Sequence, residues 1–164
     1  MSGRRFAAVL ITSLALGLSA CGFTPMYGAG SAARGLEDIQ VETGEERIDF
    51  LLQEALLDAM GARSASGPLT LRTQSTTNVL GLGIGAEAIA VRYAVQLSVS
   101  YELVDSGGNV TFAGQVSSEA SYNASNEAYA TQAARLDAEE RAAGEVADRI
   151  SMQLARAART GELW

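Results

Sequence analysis

Cys21 is the residue whose type and setting point most directly to covalent chemistry. It closes the run Leu18-Ser19-Ala20-Cys21, which follows Arg4-Arg5 and an apolar stretch from Phe6 to Gly17. A cationic start, an apolar h-region and small residues before a cut site are the parts of an export signal. A leucine three places before the cysteine, two small residues and the thiol itself are what a lipoprotein signal peptidase needs. The sulfur receives a diacylglycerol, the chain is cut between Ala20 and Cys21, and the freed amine is then acylated, commonly with palmitate. Burial of acyl chains contributes about 0.8 kcal/mol per methylene, so two or three chains hold a protein on a membrane where one binds marginally. Two other readings of the segment stand beside this one. An uncleaved anchor would need about 20 apolar residues, more than this h-region offers. Ordinary secretory cleavage nearby would leave a soluble protein with a free thiol, because small-residue cut sites overlap the lipobox. Gly22 follows the cysteine where Asp is the usual signal for retention in an inner membrane, which by that sorting rule points to the outer membrane of a Gram-negative cell.

The rest of the chain offers little other chemistry. It has no histidine, its 12 basic residues are all arginine, and Cys21 is the single cysteine. These absences leave no Ser-His-Asp triad, histidine zinc site, Schiff-base lysine, P-loop lysine or intrachain disulfide. Removal of Arg4 and Arg5 with the signal leaves 10 basic and 19 acidic residues, a net charge of −9. Nucleic acid is thereby excluded as a partner, since phosphate binding needs a basic patch and the arginines are scattered. No cofactor is expected. Leu80-Gly81-Leu82-Gly83-Ile84-Gly85 lacks the GxGxxG spacing and precedes a strand, not a helix, so it reads as an apolar hairpin tip.

The elements follow from hydrophobic period. Residues 1–20 are the signal peptide, and 21–35, rich in Gly, Ala and Ser, form a flexible tether; residues 36–164 form one domain. Ile39 and Val41 alternate with polar residues in a first short strand over 36–42. Ile48, Leu51, Leu52, Ala55, Leu56, Ala59 and Met60 lie on one face of a helix, with Thr43 available to cap it and Gly61 to end it. Pro68 opens a strand through Leu69 and Leu71 that turns polar over Gln74 to Asn78. Val91, Tyr93, Val95, Leu97, Val99, Tyr101 and Leu103 alternate with polar residues in the clearest strand. Asp105-Ser106-Gly107-Gly108 is the turn to a strand carrying Val110, Phe112, Gly114 and Val116. Pairing Val104 with Asn109 across it would place Tyr101 opposite Phe112. From Asn126 to about Arg159 a helical stripe runs through Tyr129, Ala133, Leu136, Ala143, Val146, Ala147, Ile150 and Leu154, with Asp137–Arg141 and Glu145–Arg149 pairs outside. Gly144 would allow a bend, and Tyr122 and Tyr129 would close the gap between sheet and helix. The expected fold is α+β, a two-layer sandwich with order β-α-β-β-β-α: two helices pack on one face of a four-stranded mixed sheet, and the other face is polar.

Arg72 and Arg92 both fall on that polar face. A hairpin centred near Leu82 would set them directly opposite, which is destabilising unless an anion or an acid lies between them. A slipped register would instead pair each with polar neighbours, and both could also meet acids of a partner.

Several pieces in order resemble the alphaproteobacterial LptE family: the lipobox with Gly22-Phe23-Thr24-Pro25-Met26-Tyr27-Gly28, the Arg92-Tyr93 strand start, Tyr101-Glu102-Leu103-Val104-Asp105, Ser121-Tyr122-Asn123, Tyr129-Ala130, and the Asp137-Ala138 and Arg141-Ala142 helix. The resemblance covers nearly the whole chain. It implies a non-enzymatic lipoprotein of the outer membrane, on the periplasmic side or within a barrel lumen, that plugs and helps assemble the LptD barrel and assists lipopolysaccharide delivery to the cell surface. Its partners would be the LptD-type barrel, the outer membrane through the lipid anchor, and lipopolysaccharide, with Arg72 and Arg92 as candidate contacts to lipopolysaccharide or barrel. The rival reading is an auxiliary lipid-binding lipoprotein of an envelope ABC transport system, which would need a closed apolar cavity. The anchor has a direct test. Cys21→Ser is expected to abolish labelling by radioactive palmitate and to leave an unprocessed precursor on gels; a labelled, processed serine variant would rule out lipidation at this position.

Overall fold

A two-residue period and a 3.6-residue period alternate along the chain, and the backbone follows them. The computed structural model describes residues 35–62, 67–84 and 90–163. Ala20, Cys21, the tether up to residue 34 and Gly85 lie outside the described residues. The elements are β1 (Ile39–Glu42), α1 (Arg47–Met60), β2 (Leu69–Ile84), β3 (Ala90–Asp105), β4 (Val110–Asn123) and α2 (Ala128–Thr160). The four strands form one sheet in the order β1-β2-β3-β4. β1 and β2 are parallel, joined through α1 as such a pair requires, and β2-β3-β4 is an antiparallel meander. This is the expected mixed sheet of an α+β fold.

Alternation decides which side of the sheet is buried. Leu71, Val95, Leu97, Val99, Tyr101, Leu103, Val116 and Ala120 share one face, and Ile48, Leu52, Leu56 and Met60 of α1 with Ala143, Val146, Ala147, Ile150 and Leu154 of α2 cover it. The opposite face is ruled in hydrogen-bonding rows: Gln74, Ser100 and Gln115; Thr76, Ser98 and Ser117; Asn78, Gln96 and Glu119. α1 ends at Gly61, whose φ of 64° places it in the left-handed region that glycine enters without steric cost.

Four local expectations are corrected. The N-cap of α1 is Glu46, not Thr43. Its backbone N–H donates to Asp49 Oδ2 at 3.0 Å. Asp49 lies in the first turn, where a carboxylate suits the positive end of the helix, and its other oxygen accepts from Ser75 Oγ of β2 at 2.5 Å, so one buried side chain caps the helix and binds it to the sheet. Secondly, the β3–β4 register is displaced by two residues: Leu103 faces Phe112 and Tyr101 faces Gly114. One residue of the displacement arises at the turn, where Asp105 N–H donates to Asn109 O, and one at an irregularity between Leu103 and Val104, beside which Thr111 Oγ1 donates to Leu103 O at 3.3 Å. A two-residue slip keeps every side chain on its face, so the buried set is unchanged. Thirdly, Leu80 to Ile84 continue β2, with irregularities at Gly81–Gly83 and Gly83–Ile84, and do not form a tip. Lastly, Tyr129 is 88% exposed, and only Tyr122 joins the layers, stacked on Tyr93 at 5.5 Å between centroids. α2 runs unbroken through Gly144.

The Asp105 turn is held from one side chain: its Oδ1 accepts from Gly107 N and Asn109 N, both at 2.8 Å. The Asn109 side-chain amide, which donates to Asp105 Oδ2 at 3.1 Å, contributes most, followed by the Asn109 backbone N–H, and together these donors hold the carboxyl below the ordinary range. Because the folded pKa is the lower one, this contribution is present above the usual carboxylate range and is lost as the pH falls through the folded value.

Tyr101 is fully buried and desolvation raises its phenol above the usual range, so it remains a donor; its hydroxyl bonds to Gln153 Oε1 of α2. A Cβ on Gly114 would lie 2.5 Å from that hydroxyl oxygen. Gly114→Val is expected to lower stability by about 1–3 kcal/mol in denaturant unfolding through overpacking, and Tyr101→Leu in the same chain should recover part of it; additive losses would show that the two positions do not share the space. Asp49→Ala should lower stability by about 1–2 kcal/mol as a lost cap, against almost nothing for the exposed Glu54→Ala. Equal unfolding midpoints for those two variants would discard the proposed tie.

Candidate functional site

The sequence nominates Arg72 and Arg92, and the sheet separates them. The β2–β3 ladder pairs Leu69 with Asp105, so it is centred at residue 87, five positions beyond Leu82. Arg72 therefore faces Glu102, and its Nε donates to Glu42 Oε2 of β1 at 3.0 Å. Arg92 stands opposite Gly83 and Asn123 and donates to Ser121 Oγ at 3.1 Å. Ten residues of β3 divide Arg92 from Glu102, about 33 Å at strand rise, so the two arginines cannot hold one anion. Arg72 is locally neutralised by acids, while Arg92 lies at the distal end of the sheet near the exposed Val79, Leu80 and Leu82.

The remaining arginines are distributed by α2. Glu139 is buried on that helix and takes Arg135 Nε at 3.0 Å and Arg47 Nε of α1 at 3.4 Å, which joins the two helices by charge. Arg141 pairs with Asp137 at 2.9 Å and Arg149 with Glu145, both anticipated as neighbours one turn apart. Each also reaches past the sheet rim. Arg141 donates to Ser121 O at 3.1 Å and Arg149 to Ser117 O at 2.5 Å, occupying carbonyls on the edge strand β4. The spacing suits the task, since eight helical residues rise about 12 Å and four strand residues about 13 Å.

Beyond Arg149, one groove was not foreseen. Arg149, Met152, Arg156 and Arg159 follow each other at three, four and three residues, one stripe of α2, and with Gln115, Val116, Ser117 and Gln153 they line a groove of about 530 Å³ beside β4. Among the described residues, no acidic one lines it. The spacing was visible in the sequence, but Arg149 was accounted for by Glu145, and only the fold shows that Arg156 and Arg159 are left over. On the helical layer a second groove of about 850 Å³ has the opposite character, with Leu51 and Ala55 among its apolar residues and Glu54, Asp58, Asp137 and Glu140 among its acids. Arg141 lines this second groove too, so acids predominate there without being alone.

Comparison with known proteins places this geometry. Solved structures share the fold: a putative lipoprotein from Caulobacter crescentus CB15 is 29% identical with a TM-score of 0.71, covering 81% of this chain and 98% of that one. Rare lipoprotein B from Shewanella oneidensis has 14% identity and a TM-score of 0.59, covering 76% of this chain and 98% of that one. A minor lipoprotein from Acinetobacter baumannii has 14% identity and a TM-score of 0.56 over 74% and 92%. Comparison with curated proteins returns no match. The family model described as LptE, lipopolysaccharide-assembly, matches residues 36–154, which takes in every strand, α1 and most of α2, and the chain belongs to that family.

Proposed function

We propose that this protein is a non-catalytic outer-membrane lipoprotein, anchored through Cys21, that plugs an LptD-type barrel, helps it fold, and assists lipopolysaccharide delivery to the cell surface. Family membership supplies the role in lipopolysaccharide assembly. The observation that best supports the plug reading is the outer sheet face. Its rows of Gln, Ser, Thr and Asn present donors and acceptors with little net charge, across three strands of 14 to 16 residues. Such a surface suits the polar interior of a large barrel, where each hydrogen-bonding group can find a partner or water. The opposite face is filled by the two helices, and the described grooves open at the surface. That arrangement favours an external contact surface over the closed apolar cavity that a lipid-binding accessory of an ABC system would use. An acyl anchor further raises the effective concentration of plug at barrel by confining both to one membrane. Residues 1–20 as signal and 21–35 as tether complete the scheme. Arg72 and Arg92 enter it as separate contacts at opposite ends of the polar face, not as one site.

The test is recovery of the partner. The tagged protein, extracted from outer membranes in mild detergent, should bring down a large barrel identified by mass spectrometry, and Ser98→Arg with Gln96→Arg on the polar face should reduce that recovery while circular dichroism stays unchanged. Extracts enriched for the protein but devoid of any such barrel, together with normal lipopolysaccharide export after depletion, would end the proposal.

A further inference from the structure

Six of the eight arginines among the described residues are engaged by other described side chains: Arg47, Arg72, Arg135, Arg141 and Arg149 by carboxylates, and Arg92 by Ser121. Arg156 and Arg159 are the two left without such a partner among the described residues, and both open into the groove between α2 and β4. In a body with a large acidic excess, two unpaired guanidinium groups side by side repel each other and would be expected to draw nearby carboxylates. None lines this groove. Arg149 is held at its mouth by Glu145 and Ser117 O. Gln153 adds a donor: its Oε1 is taken by the Tyr101 hydroxyl, which leaves its amide nitrogen for the groove. Met152, 46% exposed, supplies apolar surface beside the arginines.

We infer that this groove is a binding site for the phosphate group of an anionic lipid, with Arg156 and Arg159 as the ligating pair and Gln153 as a further donor. Guanidinium is planar and presents paired N–H donors that match phosphate oxygens, and such charge-assisted bonds are about twice as strong as neutral ones. Two arginines three residues apart on a helix face the same way, so both can reach one tetrahedral group. The exposed Met152 thioether suits the glyceride or acyl portion next to such a headgroup. Arg159 also lies in the last turn of α2, where a cation is favoured by the helix dipole, but among the described residues it makes no bond to the terminal carbonyls; Thr160 Oγ1 donates to Ala157 O at 3.0 Å. The site is distinct from Arg72 and Arg92, which lie on the outer sheet face. It extends the reading above by naming where the protein meets phosphorylated lipid, whether in the surrounding membrane or in the transported glycolipid.

The full-length protein in neutral detergent micelles would be titrated separately with inorganic phosphate, with phosphatidylglycerol mixed micelles and with lipopolysaccharide mixed micelles, and binding followed by phosphorus NMR line broadening. At least one probe should bind, and Arg156→Gln with Arg159→Gln should weaken it by about tenfold or more, since both charge-assisted contacts are removed. Arg47→Gln, on α1 and outside the groove, should leave it within about twofold, and raised salt should weaken it in step with screening. Which probe binds identifies the source of the phosphate. Arg156→Lys with Arg159→Lys keeps the charge without the fork and should fall between parent and glutamine variant, which guards against a fold effect. Binding of none of the three probes, or equal binding by the parent and the double glutamine variant, overturns the site. Loss of barrel recovery with phosphate binding intact would strike only the plug reading, and the converse only this groove.

Discussion

Tyr101 is the key between the layers. Its ring is too large for a position opposite another bulky residue on the crowded inner face, and its hydroxyl must find a partner once water is excluded. Gly114 provides the space across the β3–β4 ladder, and Gln153 provides the acceptor from α2. Three elements are therefore set against one side chain: the register of β4, the axial position of α2, and the depth at which the helix settles on the sheet. Phe112 then falls beside the ring at 6.2 Å between centroids, tilted by 37°, a favourable aromatic arrangement. The same placement turns Gln153 toward the groove that holds Arg156 and Arg159, so packing in the core decides what is offered at the surface.

Much of this was legible because the buried set is governed by parity. The unbroken alternation from Val91 to Leu103 and the helical stripe ending at Leu154 each specify a face without specifying a neighbour; from Val95 to Leu103 and from Ala143 to Leu154 the expected face is buried, while Tyr129 and Ala133 at the start of the stripe are exposed. Pairing is another matter. The four turn residues mark the β3–β4 turn, but closure at Asp105–Asn109 and the irregularity at Leu103–Val104 each move the ladder by one, and side-chain alternation cannot reveal a sum of two because it preserves it. The Leu-Gly-Leu-Gly-Ile run misled in the opposite sense. Glycine weakens strands and usually marks turns, yet here the neighbouring β3 is long enough to supply ladder partners through Ile84, which moves the hairpin centre outward and parts Arg72 from Arg92. Tyr129 fits the helical stripe, but α2 begins beyond the part of the sheet it covers, and amphipathic period says nothing about where a partner layer stops.

The candidate site was legible to different degrees for the same reason. Cys21 is read from a local string of residue types, which needs no fold to be recognised. The basic groove depends on which arginines are already engaged, a question of three-dimensional accounting: Glu139 absorbs two of them across the helix pair, and Glu42 and Glu102 quiet Arg72 across the sheet. The basic character of the groove between α2 and β4 follows from that internal pairing more than from composition.

The arginines that reach from α2 to the rim of β4 have a consequence for the protein before assembly. A long edge strand is a template for any unpaired chain, and an unclosed barrel is a succession of strands with nothing yet beside them. By occupying Ser117 O and Ser121 O with guanidinium groups, α2 makes that template a poor one along its C-terminal half, and the charges would have to be stripped of water and displaced before another strand could zip on. A chaperone for a barrel has to approach nascent strands without becoming one of them. The rim of β4 would give the protein that immunity, so on the proposed reading association would proceed through side chains on the broad polar face.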